Sequence, residues 1–137
     1  MDLATLPQVL TKWISTNLSS IGDLSAIRIR PCRRVPVWWI PGNRNVDGLV
    51  LWRTIYLRHS HWPIDPLNRR SIELLFHEFI HVEQFRRAPF LFPLKYLFNH
   101  LRYGYWKNPA EAEARQRASG LTMSYFDYIR REIHNES

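Results

Sequence analysis

His77-Glu78-Phe79-Ile80-His81 sets two imidazoles four residues apart, with a carboxylate directly after the first. On a helix that spacing brings both rings to one face, one turn apart. Two such imidazoles can share one zinc ion, and Glu78 can then act as general base towards a water that the metal activates. The chemistry implied is zinc-dependent hydrolysis. A short pattern of this kind also arises by chance, so the rest of the chain has to supply a third ligand and the elements that hold it.

Glu111 and Glu113 lie downstream on one predicted helix, two residues apart and therefore about 200° from each other around its axis. Only one can face a metal held by His77 and His81. Glu111 shares its face with Ala114 and Ala118, small residues that let two helices approach closely. Glu113 shares its face with Gln116 and Arg117, and Glu113 to Arg117 is an i,i+4 ion pair of the kind found on solvated faces. Glu111 is therefore the third ligand expected, although Asn108-x-x-Glu111 also reads as a capping box. Among the remaining histidines, His59 and His61 belong to a strand end or loop, and His134 to a helix C-terminus. His100 stands in an aromatic helix as a reserve ligand or a group that polarises the substrate.

The elements around these residues follow from periodicity. Thr5-Leu6-Pro7-Gln8 reads as a capping box, and Leu6, Val9, Leu10, Trp13 and Ile14 recur at helical spacing after it. Ala26 to Arg30 alternates, Val35 to Ile40 is extended and aromatic before the turn signal Pro41-Gly42-Asn43, and Leu49 to Leu57 reads as one further strand. Asp65-Pro66 predicts the start of a helix that runs through the motif to about Arg87. Its apolar residues lie on more than one side, which places it inside the domain. Pro93 opens another helix, which Gly104 ends. Asn108-Pro109 opens a third that closes near Gly120, and Ser124 caps a last one to about His134. The fold class expected is α+β: a small N-terminal β-sheet of about three strands, a buried motif helix and further C-terminal helices, in a single domain over residues 1–137.

The net charge is +7, carried mainly by arginine. The arginines come in pairs such as Arg33-Arg34 and Arg130-Arg131 and form no run of five, which argues against a specific nucleic-acid partner. An acidic partner or a peripheral membrane contact remains compatible with that charge. The single Cys32 cannot form an internal disulfide and reads as a small buried apolar residue. No secretory signal and no apolar run of spanning length is evident, so the expected compartment is the cytoplasm.

With these residues in place, the chain resembles the gluzincin branch of zinc metallopeptidases, which pair a His-Glu-x-x-His helix with a glutamate on a later helix. The resemblance covers about residues 49 to 118. It casts His77, His81 and Glu111 as zinc ligands and Glu78 as catalytic base. Glu111-x-x-Ala114 resembles a Glu-x-x-Ala-Asp pattern of several subfamilies. Thr54-Ile55-Tyr56-Leu57, together with Val82 and Gln84, resembles a group of small metallopeptidase-like proteins. A minimal zincin-like domain is what the resemblance implies. There is one departure: the pattern places an acid four residues after the third ligand to orient a ligating histidine, and this chain has Arg115. Arginine accepts no hydrogen bond, so a backbone carbonyl, Glu73 or Asp65 has to take that role.

The function expected is cleavage of peptide or protein substrates, with Zn2+ as cofactor and Tyr103, Tyr105 or His100 as oxyanion donor. The strand Leu49 to Leu57 is a candidate to receive extended substrate backbone. The alternative is a noncatalytic zincin-like module that uses its basic, aromatic surface for a protein partner or a membrane surface.

Overall fold

A computed structural model describes residues 6–35 and 46–136 of the chain. Helix α1 (Gln8–Asn17) leads through two short 3-10 turns to strand β1 (Arg28–Cys32). Strands β2 (Gly48–Leu51) and β3 (Thr54–Arg58) follow, then helices α2 (Arg69–Arg87), α3 (Leu91–Lys107) and α4 (Pro109–Glu136). The architecture is α+β. The three strands form one mixed sheet in the order β1-β3-β2, with β1 parallel and β2 antiparallel to β3.

The stretch expected as one strand, Leu49 to Leu57, is a hairpin. Leu51 pairs with Thr54, so Trp52 and Arg53 make a two-residue turn. Such turns follow the strand twist when a central residue has positive φ, and Trp52 has φ 55°. Its indole Nε1 donates to the carbonyl of Pro89 at 2.7 Å, and its ring lies 5.5 Å from that of Phe85. These contacts hold a bulky residue where glycine or asparagine is usual. The expected strand over Val35 to Ile40 and the turn at Pro41-Gly42-Asn43 fall almost wholly outside the described residues, as does the cap Thr5. Cys32 is half-buried on β1 rather than buried.

Helix α2 is the centre of the molecule. Ile72, Leu75, Phe76, Phe79 and Ile80 are fully buried, and burial continues without a break from Glu78 to Phe85. The helix begins three residues later than expected. Asp65 instead makes the preceding turn, accepting from the Leu67 amide, while Asn68 caps α2 by accepting from the Ser71 amide. Trp13 of α1 stacks on Phe76 at 5.1 Å, and Tyr125 of α4 meets both rings edge-on. The Tyr125 hydroxyl donates to the carbonyl of Pro66 at 2.8 Å.

Two helices expected over Asn108 to His134 are one. Glu111, Ala114, Ala118, Thr122, Tyr125 and Ile129 are all buried at steps of three or four. This unbroken stripe carries α4 across Gly120, where the intrinsic cost of glycine in a helix is only about 1 kcal/mol. Gly104 does interrupt α3, with φ 81° and ψ 173°. Pro93 sits inside the first turn, where its missing amide hydrogen costs nothing.

Candidate metal centre

α2 projects His77 and His81 towards α4, and Glu111 in the first turn of α4 points back at them. Glu111 Oε1 lies 3.2 Å from His77 Nε2 and 2.5 Å from His81 Nε2, and the two Nε2 atoms are 3.2 Å apart. Both Glu111 and His81 are buried. Ala114 and Ala118, with no exposed surface, allow the approach of α4 that this convergence requires. Further along the same interface, Arg117 makes a bidentate pair with Glu83 at 2.7 and 2.8 Å. Glu113 stays at the rim, 3.1 Å from Arg87 and 3.9 Å from Arg117. The structure therefore separates the two glutamates as their faces predict.

Gln84 decides which atoms of His81 are free. Its amide nitrogen donates to the Ala110 carbonyl at 3.1 Å and to Glu113 at 3.0 Å, so its oxygen must point the other way. That oxygen is 2.7 Å from His81 Nδ1. An acceptor there requires Nδ1 to carry a proton, which leaves the Nε2 of a neutral ring with a lone pair aimed at the cluster. Neither Glu73 nor Asp65 takes this role. Gln84 was visible in the sequence only as part of a family pattern, and its neighbourhood to His81, three residues away on one helix, was the signal that could have identified it.

Three lone-pair atoms converging on one buried point repel unless a cation lies between them. Tetrahedral zinc with bonds of about 2.0–2.1 Å sets neighbouring donors roughly 3.3 Å apart. Two of the three separations match that value and the third is shorter. His77, His81 and Glu111 thus fit a small divalent ion by chemistry and by spacing. Without one, a proton must serve. Burial alone would depress the His81 pKa, but the adjoining Glu111 carboxylate outweighs it and raises the value to about 9. Burial likewise opposes ionisation of Glu111, and the charge and hydrogen bonds of His81 and His77 overcome it, holding that carboxyl far below its usual range.

Glu78 is almost wholly buried, and its Oε2 has no hydrogen-bond partner. Burial pushes its pKa up, against the pull of His77 and His81 and with the push of Glu111. The backbone of β2 crosses directly over it: a methyl group on Gly48 would fall 2.7 Å from Glu78 Oε1. Any side chain at position 48 would have to displace the Glu78 carboxylate.

Two cavities meet at these residues. A space of about 30 Å³, the size of a single water, is lined by Glu78, His81, Glu111, Tyr96, Tyr105 and β2. A cleft of about 420 Å³ opens over His77 and Glu78 and is bounded by Asp47, Arg70, Glu73, Tyr105 and Arg115. Tyr105 lines both. Burial, then the charges of Glu111 and Glu78, keeps its hydroxyl protonated well above the usual range. The other two oxyanion candidates do not line either cavity. Tyr103 is 47% exposed beneath the Arg102 guanidinium, and His100 is buried in a stack on Tyr96. Tyr96, a wall of the smaller cavity, was not anticipated, since nothing in the aromatic run 90–106 distinguishes it.

No family model matches the chain, and neither the curated proteins nor the solved structures contain a match to it.

Two outcomes test this centre. Replacing Gln84 with leucine removes the acceptor that fixes the His81 tautomer; if the cluster holds a divalent ion, affinity for added zinc should fall roughly 10–100-fold, as read by chelator competition. In the metal-free protein, His81 has a raised pKa, so its contribution to stability is complete below pH 6.5 and is lost as pH rises through about 9. Glu111 has a lowered pKa, so its contribution is complete above pH 4.5 and is lost on acidification. The melting temperature in the presence of chelator should therefore be higher at pH 6 than at pH 9, and added zinc should restore most at the alkaline end.

Proposed function

We propose that the protein is a zinc-dependent hydrolase of peptide bonds, a small zincin-like metallopeptidase. The observation that carries the reading is the convergence of His77, His81 and Glu111 on one buried point. The buried, unpartnered carboxylate oxygen of Glu78 stands beside that point, at the floor of an open cleft. A zinc ion held by those three side chains would supply Lewis acidity, lowering the pKa of a water towards about 7 and polarising a carbonyl.

The chain's own groups then account for the proton. Glu78 has a raised pKa because it is desolvated. It accepts a proton from water more readily than an exposed carboxylate does, and it can return that proton to the leaving amine. Gly48 sets the space in which its carboxylate turns. Tyr105, with a hydroxyl that stays protonated, is the donor suited to a developing oxyanion. The cleft side of the centre is bordered by residues 46–48, leading into β2, which pairs on one edge with β3. Among the described residues its other edge has no strand partner, which suits an extended peptide added alongside it.

Glu78→Gln should retain zinc and the wild-type melting temperature while turnover of a peptide library falls by about 10²–10⁴-fold. Equal turnover by the variant would remove Glu78 from the reaction. Gly48→Ala should keep the fold and the metal yet lower kcat more than it raises KM, because the added methyl displaces the Glu78 carboxylate rather than blocking the cleft. Wild-type kcat in that variant would show that the contact with β2 does not position the base.

A further inference from the structure

Helix α3 carries an apolar face that is exposed among the described residues. Leu91, Leu94, Phe98 and Leu101 recur at steps of three and four and are 60 to 68% exposed. At about 100° per residue they fall within an arc of roughly 80°. Phe90, 81% exposed, precedes the stripe, and Trp106, 69% exposed, follows it. Single exposed leucines are ordinary; four large apolar side chains on one helix face, with two more at its ends, mark a contact surface.

The charge around this face is one-sided. From Gln84 to Ala110 the chain has no Asp or Glu, but it has Arg86, Arg87, Lys95, Arg102 and Lys107. Lys95 and Arg102, seven residues apart, lie along one border of the stripe and are exposed. Neither they nor Lys107 form an ion pair among the described residues. A second copy of this chain would oppose cations to cations across the face. An anionic bilayer would oppose them with phosphate and carboxylate while its acyl chains take the leucine and phenylalanine side chains. No helix of the described residues is long and apolar enough to cross a membrane, so α3 would lie in the interface plane.

We propose that α3 docks the protein onto an anionic phospholipid surface, with Leu91, Leu94, Phe98 and Leu101 inserted at the level of the acyl chains and Lys95, Arg102 and Lys107 at the headgroups. This surface is separate from the peptidase reading, because none of these side chains touches the metal centre.

The test is flotation of the full chain with vesicles of phosphatidylcholine containing roughly 30% phosphatidylserine, against vesicles of phosphatidylcholine alone. Wild type should float with the anionic vesicles and much less with the neutral ones. Leu94→Glu/Phe98→Glu should lose at least about tenfold in binding with an unchanged melting temperature, because both sites are exposed. Should that variant fold poorly, Lys95→Glu/Arg102→Glu replaces only solvated groups and should abolish the preference for anionic lipid. The proposal is overturned if wild type stays with the protein-only fraction, or if the folded variants bind as wild type does. It is equally overturned if sedimentation without vesicles shows a dimer that Leu94→Glu/Phe98→Glu dissociates, since the face then belongs to a second copy.

Discussion

The site depends on how closely α4 can lie against α2. Glu111 is a short side chain from one helix that must reach two imidazoles on another, and a separation larger by one methyl group would leave it short. Alanine at 114 and 118 makes the approach sterically possible. The bidentate Arg117–Glu83 pair holds it in register, with the Ser20 hydroxyl donating to the same carboxylate. The apolar anchor comes later in α4, where Tyr125 closes on Trp13 and Phe76. An ion pair whose arginine is partly exposed contributes little net stability. Register is the contribution that matters at Glu83, because a slip of one residue along α4 would rotate Glu111 away by about 100°.

Within that interface two carboxylates sit close together and are driven in opposite directions. Glu111 lies between imidazoles and is held ionised. Glu78 lies under the backbone of β2, without a partner on one oxygen, and desolvation favours its neutral form. The same dry surroundings therefore produce a permanent anion suited to a cation and a carboxyl suited to moving a proton. The imidazoles create the difference: burial opposes ionisation of both carboxylates, but His77 and His81 hydrogen-bond Glu111, whereas Glu78 beneath Gly48 has no partner on Oε2.

Much of this was legible in the residues because it depends on local spacing. The imidazole pair follows from helix periodicity, and the inward face of Glu111 and the outward face of Glu113 follow from periodicity together with their neighbours, Ala114 and Ala118 against Gln116 and Arg117. The errors arose where a long-range contact overrode a local signal. Trp52-Arg53 carries no glycine or asparagine, so the hairpin was hidden; its turn is held by Phe85 and the Pro89 carbonyl, more than thirty residues away. Gly120 looked like a helix end, but the stripe from Glu111 to Ile129 continues past it. Asp65-Pro66 has the composition of a helix start, yet it forms the turn before the one that Asn68 caps. Tyr96 enters the site through tertiary packing, for which the sequence has no periodic signature.

Arg115 cannot accept a hydrogen bond from a ring nitrogen, and the orientation of His81 rests instead on Gln84 of α2, one turn away. An amide accepts from imidazole only in the flip state that turns its oxygen to the ring, and here α4 fixes that state by accepting from the amide nitrogen at the Ala110 carbonyl and Glu113. The tautomer of His81 is thus set when α4 docks, in the same step that delivers Glu111. Arg115 is left to other contacts. Its guanidinium lies 3.9 Å over the Trp106 ring and donates to the Trp106 carbonyl, while its Nη1 has no hydrogen-bond partner beside the cleft. Of the titratable groups at the cleft, the one on which its charge acts is Tyr105, where it opposes the upward push of burial and of Glu111 and Glu78.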